Sequence, residues 1–178
     1  MGTPFVIFDR DGTLIEHVHH LIDPDELKFK ADLVPGLTAL KNAGFRFGMV
    51  TNQSVVGRGL ATIEQVEKIN SIIVDYLAAN AIKFEFVLVC PHTPNDSCEC
   101  RKPNIGLGIQ AVNEYQFLPK ISYVVGDQES DLVFGKKLGC RVVQVKGIAE
   151  QSESTDYYSN NLLSAANWII NDMPKRGE

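Results

Sequence analysis

The stretch "VIFDRDGTLIEH", Val6 to His17, carries an apolar run straight into two aspartates one residue apart, then a glycine and a threonine. A short run of aliphatic and aromatic residues closed by a turn reads as a strand buried on both faces. Its end is unusual. A strand closing on a polar turn needs one carboxylate at most, and two held close repel unless a cation neutralises them. If the chain stays extended through this point, side chains alternate, so Asp9 and Asp11 project to one side and Arg10, as a structural residue, to the other.

Four more apolar runs repeat the pattern, at Phe45–Val50, Phe84–Val89, Ile121–Val125 and Val142–Val145. Helical segments are predicted between them, over about Val34–Asn42, Thr62–Ala79, Ile105–Glu114 and Ser130–Leu138. Gly44 supplies a C-cap to the first, and Thr62 with Gln65 forms a capping box on the second. This alternation predicts an α/β fold built of right-handed βαβ units, a mainly parallel sheet with helices on both faces. Such sheets bind ligands at the carboxyl ends of their strands. The polar residues gather there: "DRDGT", "TNQSVVGRG", "CPHTPNDSCECRKP" and "GDQESD" each follow an apolar run. One polar loop is ordinary; four that converge on one place define a site.

Composition narrows the function. At 178 residues, 44% hydrophobic and 22% charged, the chain fits a single soluble domain with a sizeable core. Its net charge of −5 disfavours a nucleic-acid partner, since phosphate-backbone binding draws on clustered Lys and Arg. No run approaches the roughly 18 apolar residues of a membrane helix. The start, "MGTPFVIFDRD", lacks the basic region and apolar length of a signal peptide, so a cytoplasmic location is expected.

The paired carboxylates suit a hard cation such as Mg²⁺, which takes oxygen ligands and commonly shares one or two carboxylates with a substrate phosphate. Asp127 would supply a third oxygen from the fourth strand end, and Asp131 could orient that shell or a lysine. An EF-hand is excluded, because Gly12 is fourth from Asp9 where that loop needs a glycine sixth. Three of the four cysteines crowd together: Cys90, His92, Cys98 and Cys100 form C-x-H-x5-C-x-C. Three thiolates and an imidazole complete a tetrahedral Zn²⁺ site with no open position, hence a structural one. A redox thiol group or a loose surface loop are the alternatives. Cys140, alone in an apolar segment, reads as a small core residue.

"FDRDGT", Thr51 in "MVTNQS", Lys102 in "CRKP" and "GDQESD" match in order and spacing the four motifs of the haloacid dehalogenase (HAD) superfamily of phosphohydrolases, which the chain resembles from about Phe5 to Val145. The resemblance implies a three-layer Rossmann-like fold and Mg²⁺ bound by Asp9, Asp11 and Asp127. It also implies roles: Asp9 attacks phosphorus to form an aspartyl-phosphate, and Asp11 is the acid and base. Lys102 and the Thr51 hydroxyl would neutralise and orient the phosphoryl oxygens.

Within the superfamily, "CPHTP…CECRKP" is similar to a zinc-bearing group that holds D-glycero-D-manno-heptose 1,7-bisphosphate phosphatases and histidinol-phosphate phosphatase domains, small proteins without a large cap. "TNQSVVGRG" looks like the heptose form, which extends the substrate contacts to Asn52, Gln53, Ser54, Arg58 and Arg101. The tail looks like the end of those enzymes, giving a core over about 4–147 and a polar linker with a last short strand in 148–178. The loop "EHVHHLIDP" departs from the heptose pattern, so His17, His19 and His20 either bind substrate or are solvated. The expected activity is a phosphomonoesterase on a small phosphorylated metabolite, acting as a monomer. Heptose bisphosphate comes first, with histidinol phosphate or a broad range of sugar phosphates as alternatives. The rival from another class is a phosphosugar-binding module without turnover, whose signature would be loss of Asp9 or Asp11.

Overall fold

The five apolar runs become strands in the computed structural model, which describes residues 3–147 and 150–173. They are β1 (Phe5–Phe8), β2 (Arg46–Asn52), β3 (Phe84–Cys90), β4 (Tyr123–Gly126) and β5 (Arg141–Val145), with a sixth, β6 (Tyr157–Ser159), added in the polar linker. All pair in parallel, in the order β3-β2-β1-β4-β5-β6. The helices are α1 (Leu33–Asn42), α2 (Ser54–Gly57), α3 (Ile63–Ala79), α4 (Gly106–Tyr115), α5 (Glu129–Leu138) and α6 (Leu162–Asp172).

The continuous apolar character of β1 follows from its central place. Val6 and Phe8 pack into the cluster formed with α1, α3 and α6, while Phe5 and Ile7 pack into the cluster on the opposite face with α4 and α5. That makes three layers, helices on sheet on helices. Thr62 caps α3 as expected, its Oγ1 accepting from the Gln65 N–H at 3.3 Å while Gln65 Oε1 accepts from the Thr62 N–H at 2.9 Å. Gly44 takes the left-handed conformation that ends α1, with φ of 95°.

Two expectations need correction. Ile121 is not in β4, because Pro119 opens a short 3₁₀ turn over Pro119–Ile121. The tail does not end in a strand: the strand lies earlier, at β6, and "LLSAANWIIND" is the helix α6. The Asn161 side chain caps it by accepting from the Ser164 N–H at 2.8 Å. Leu162, Ala165, Ala166 and Ile169 recur at helical spacing and are buried in the cluster shared with α1. Residues 148–149 and 174–178 of the expected tail lie outside the described residues.

Among the described residues, nothing large covers the carboxyl ends. Between β1 and α1 the described chain forms only a 3₁₀ turn, Pro24–Glu26, and isolated bridges from Ile15 to Asp11 and Phe29. The strand order reverses between β1 and β4, so their following loops diverge and leave a crevice at this edge of the sheet.

Candidate active site

The crevice is an open cleft of about 570 Å³. Asp9 enters it directly from β1, with its backbone N–H fixed on the Val125 carbonyl of β4 at 3.0 Å. Lys102 reaches in from the loop after β3 and is only 3% exposed. Its ammonium donates to Asp9 Oδ1 at 2.7 Å, to Asp131 Oδ1 at 2.8 Å and to the Val50 carbonyl at 2.6 Å, which uses all three of its hydrogens. Asn52, the last residue of β2, holds the lysine's backbone from both sides. Its Oδ1 accepts from the Lys102 N–H and its Nδ2 donates to the Lys102 carbonyl, each at 3.1 Å.

Asp127 follows β4 and is fully buried. Two glycines make room for it: a Cβ on Gly12 or on Gly147 would lie 2.4 Å from Asp127 Oδ2 or Cβ respectively. Gln128 Nε2 donates to Asp127 Oδ2 at 2.8 Å, while Asp127 Oδ1 is buried without a partner. Asp131, at the start of α5, also accepts from the Gln128 N–H through its Oδ2. Oxygens of Asp9, Asp127 and Asp131 lie within 4.8 Å of one another.

Three clustered carboxylates therefore have one ammonium among them, and it bonds to two, Asp9 and Asp131. Burial pushes the Asp9 carboxyl above its usual range, opposed by Lys102 and reinforced by Asp131 and Asp11. Burial pushes Asp127 up as well, against the Gln128 hydrogen bond. Lys102 is raised despite its burial, because Asp131 and Asp9 hold the proton on it. The excess negative charge and the orphaned oxygen are what a divalent cation would correct.

Asp11 is not in this group. Its carboxylate lies against Arg10, whose Nε donates to Oδ2 at 2.9 Å and Nη2 to Oδ1 at 3.1 Å, and Gln53 Nε2 donates to Oδ2 at 2.8 Å. Arg10 thus does not point away from both aspartates. The reason is that β1 stops at Phe8, so strand alternation does not govern residues 9–11. Thr51, 1% exposed, accepts from Gln53 Nε2 at 2.8 Å. Gln53, though only 5% exposed, lines the cleft, as do Asn52, Ser54, Arg58 and Arg101 together with His17, His19 and His20. The rings of His19 and His20 lie 3.8 Å apart.

Cys90, His92, Cys98 and Cys100 converge beside the Lys102 loop. Their sulfurs are 3.3–3.7 Å apart, and His92 Nδ1 is 3.1 Å from Cys100 Sγ and 3.6 Å from Cys90 Sγ. Tetrahedral ligands about 2.3 Å from a metal would be separated by about 3.8 Å, so the cluster needs only a small expansion to hold one. Arg101 Nη1 donates to the His92 carbonyl at 3.1 Å, joining the cluster to the catalytic loop. Cys140 is elsewhere, in the core, its thiol pushed up to about 12 by burial.

The sequence reading missed Arg10, Asn70 and Gly147 as parts of the site. Asn70 left one signal, a polar side chain on the buried face of α3 among Val66, Ile69, Ile73 and Leu77.

Comparison with known proteins agrees with this geometry. A family model described as HAD-hydrolase-like matches residues 99–167. The D,D-heptose 1,7-bisphosphate phosphatase of B. bronchiseptica, solved with magnesium and phosphate, superposes with a TM-score of 0.85 at 25% identity, over 94% of this chain and 98% of that one. The chain has the fold of the HAD-like hydrolases. The phosphatase of the same name from Burkholderia thailandensis shares the fold, with a TM-score of 0.65 at 24% identity over 94% and 98% of the two chains. In sequence, this HAD-like chain is 33% identical over 168 residues to the histidine biosynthesis bifunctional protein HisB of Campylobacter jejuni, matching 93% of itself and 46% of that protein. It thus spans about half the length of the curated relatives it matches.

Proposed function

We propose that this chain is a Mg²⁺-dependent phosphomonoesterase that works through an aspartyl-phosphate on Asp9. The observation that carries the reading is the division of the two motif aspartates. Asp9 is held by Lys102 in the carboxylate cluster, while Asp11 is held apart by Arg10 and Gln53. Asp9 and Asp127 would hold the magnesium, and the Asp11 carboxylate, assigned to the same shell from sequence, serves the proton instead. Bound magnesium would offset the charge that otherwise keeps an anionic phosphate from a carboxylate.

An Asp9 oxygen attacks phosphorus, the bond from phosphorus to the ester oxygen breaks, and Asp11 gives that oxygen its proton. Water then attacks the phosphorus of the intermediate, Asp11 takes the water's proton, and the Asp9 carboxylate leaves free. Lys102 opposes the protonation that burial favours on Asp9 and holds it in line, and the Thr51 hydroxyl would donate to the transferring oxygens. The Cys90–His92–Cys98–Cys100 cluster holds a structural Zn²⁺ that fixes the loop carrying Arg101 and Lys102. Working as a monomer in the cytoplasm fits the acidic surface and the lack, among the described residues, of any helix able to cross a membrane.

The preferred substrate is D-glycero-D-manno-heptose 1,7-bisphosphate at its 7-phosphate, supported by the end-to-end likeness to the B. bronchiseptica enzyme and by Arg58 in "TNQSVVGRG". Histidinol phosphate is the second reading, favoured by the identity to HisB. A panel of heptose bisphosphate, fructose bisphosphate and histidinol phosphate, assayed with Mg²⁺ and with EDTA, separates them. Turnover should vanish with EDTA and in Asp9→Asn; activity surviving in Asp9→Asn would remove the nucleophile from the scheme.

A further inference from the structure

Arg10 is among the largest fully buried side chains of the described residues, and it is charged. Burying a guanidinium is costly unless its donors are met by well-placed acceptors. Four of its five N–H groups are met. Nε and Nη2 form a fork on the two oxygens of Asp11; the second Nη2 hydrogen goes to Gln53 Oε1 at 2.9 Å, and Nη1 donates to Asn70 Oδ1 at 3.0 Å. Gln53 closes the circuit by donating to Asp11 Oδ2. The three partners come from the loop after β1, the end of β2 and the middle of α3.

The distribution on Asp11 is uneven. Oδ2 accepts two hydrogen bonds, from Arg10 Nε and Gln53 Nε2, whereas Oδ1 accepts one, from Arg10 Nη2. A carboxylate oxygen has two lone-pair sites, so Oδ2 is filled and Oδ1 keeps one open. The Asp11 side chain is 20% exposed and lines the cleft, while Arg10 behind it is 1% exposed. The oxygen free to carry a proton is thereby chosen by the residues behind it.

We propose that Arg10, anchored by Asn70 and Gln53, is the positioning residue that presents the Oδ1 edge of Asp11 to the ester oxygen. The proposal rests on the reading of Asp11 as the acid and base. With four of its N–H groups spent on Asp11, Gln53 and Asn70, Arg10 acts through Asp11. Its effect is to fix which oxygen of Asp11 faces them and at what angle. A misplacement of about 1 Å costs on the order of 100-fold in such transfers.

The test compares two esters of one shape. Phenyl phosphate releases phenol, as basic as a tyrosine at a pKa of about 10, and needs a proton as its bond breaks. p-Nitrophenyl phosphate releases an anion stabilised by its nitro group and does not. In kcat/KM, which reports steps through phosphoenzyme formation, Arg10→Lys and Asn70→Ala should each lower the phenyl ester by about 10- to 100-fold. The p-nitrophenyl ester should change by less than about 3-fold. Asn70→Ala leaves the Arg10–Asp11 pair intact and carries the test if Arg10→Lys does not fold. Equal losses on both esters, or no loss on either, in whichever variants fold would overturn the proposal. Asp11→Asn is the control: if it shows no preference between the esters, the acid–base reading itself is what fails.

Discussion

Replacing Lys102 by methionine keeps the unbranched apolar stem, one atom shorter, and removes the charge. The ammonium is buried and bonded to two buried carboxylates and the Val50 carbonyl, so its loss strands Asp9 and Asp131 together. Breaking a buried pair by deleting one partner costs about 3–5 kcal/mol. Two carboxylates lose their counter-charge here, which argues for the upper part of that range. Protonation of Asp9, already favoured by burial, limits the cost. For a chain of this size each kcal/mol moves Tm by roughly 2–4 °C, so Lys102→Met should melt about 6–20 °C lower in EDTA. Activity should fall by about 100- to 1,000-fold, as when one charge-stabilising donor is removed elsewhere. The double variant Lys102→Met/Asp131→Asn removes one of the stranded charges. It should regain at least half of the lost stability while remaining inactive. A single variant less than about 1 kcal/mol destabilised, or a double variant less stable than the single, would refute the account of Lys102 as the counter-charge of this pair.

The metal and acid-stability readings can be checked as directly. Elemental analysis should find one zinc for the four ligands, and a thiol reagent should release it on modifying three cysteines, with Cys140 reacting only on unfolding because it is buried and its thiol is pushed up to about 12. Gly147→Ala places a Cβ 2.4 Å from Asp127 Cβ, so the aspartate must move; the Mg²⁺ concentration for half-maximal activity should rise about 10- to 100-fold, and an unchanged requirement would contradict the cradle. Burial pushes Asp156 up, but the Lys136 ammonium at 2.7 Å and the Val142 N–H at 2.7 Å outweigh it and hold the carboxyl below its usual value. A lowered folded pKa gives stability that is complete above the unfolded value of about 3.9 and lost as pH falls through the folded one. Asp156→Asn should therefore melt below the parent at pH 7, and the gap should close on acidification below about pH 4; a gap that stays constant would count against this ion pair.

How much of this was legible depends on how far each feature reaches along the chain. The strands β1 to β5 could be read because residues such as Val6, Ile7 and Phe8 are buried on both faces and leave unbroken apolar runs. β6 could not: three residues, Tyr157–Ser159, pair with β5 inside an otherwise polar stretch. α6 could have been read from the spacing of Leu162, Ala165, Ala166 and Ile169, and a resemblance of the tail to a strand-ending pattern outweighed that period. In the site, Asp9 and Asp127 announced themselves by standing just past strand ends, and Lys102 by its place in "CRKP" in the loop after β3. Arg10 was misread because alternation was carried three residues beyond the end of β1, through Asp11. Its acceptors, 43 and 60 residues away, leave no mark in the local sequence. Gly147 was silent for a similar reason, since what it must avoid is a side chain 20 positions earlier.

The reversal of strand order between β1 and β4 has a temporal side. Asp9 is made well before the strand that flanks β1 on its other edge, which begins only at Tyr123. Between Asp9 and Asp127 lie 118 positions (127 − 9), which a ribosome adding about 5–20 residues per second needs on the order of 10 s to supply. Through that interval β1 can pair with β2 alone, with its other hydrogen-bonding edge bare. Until β4 docks, Asp9 faces neither Asp127 nor Asp131. The unfinished chain therefore carries Asp9 without the carboxylates it meets in the finished fold, and its bare central edge is where a chaperone, or a neighbouring nascent chain, would first take hold.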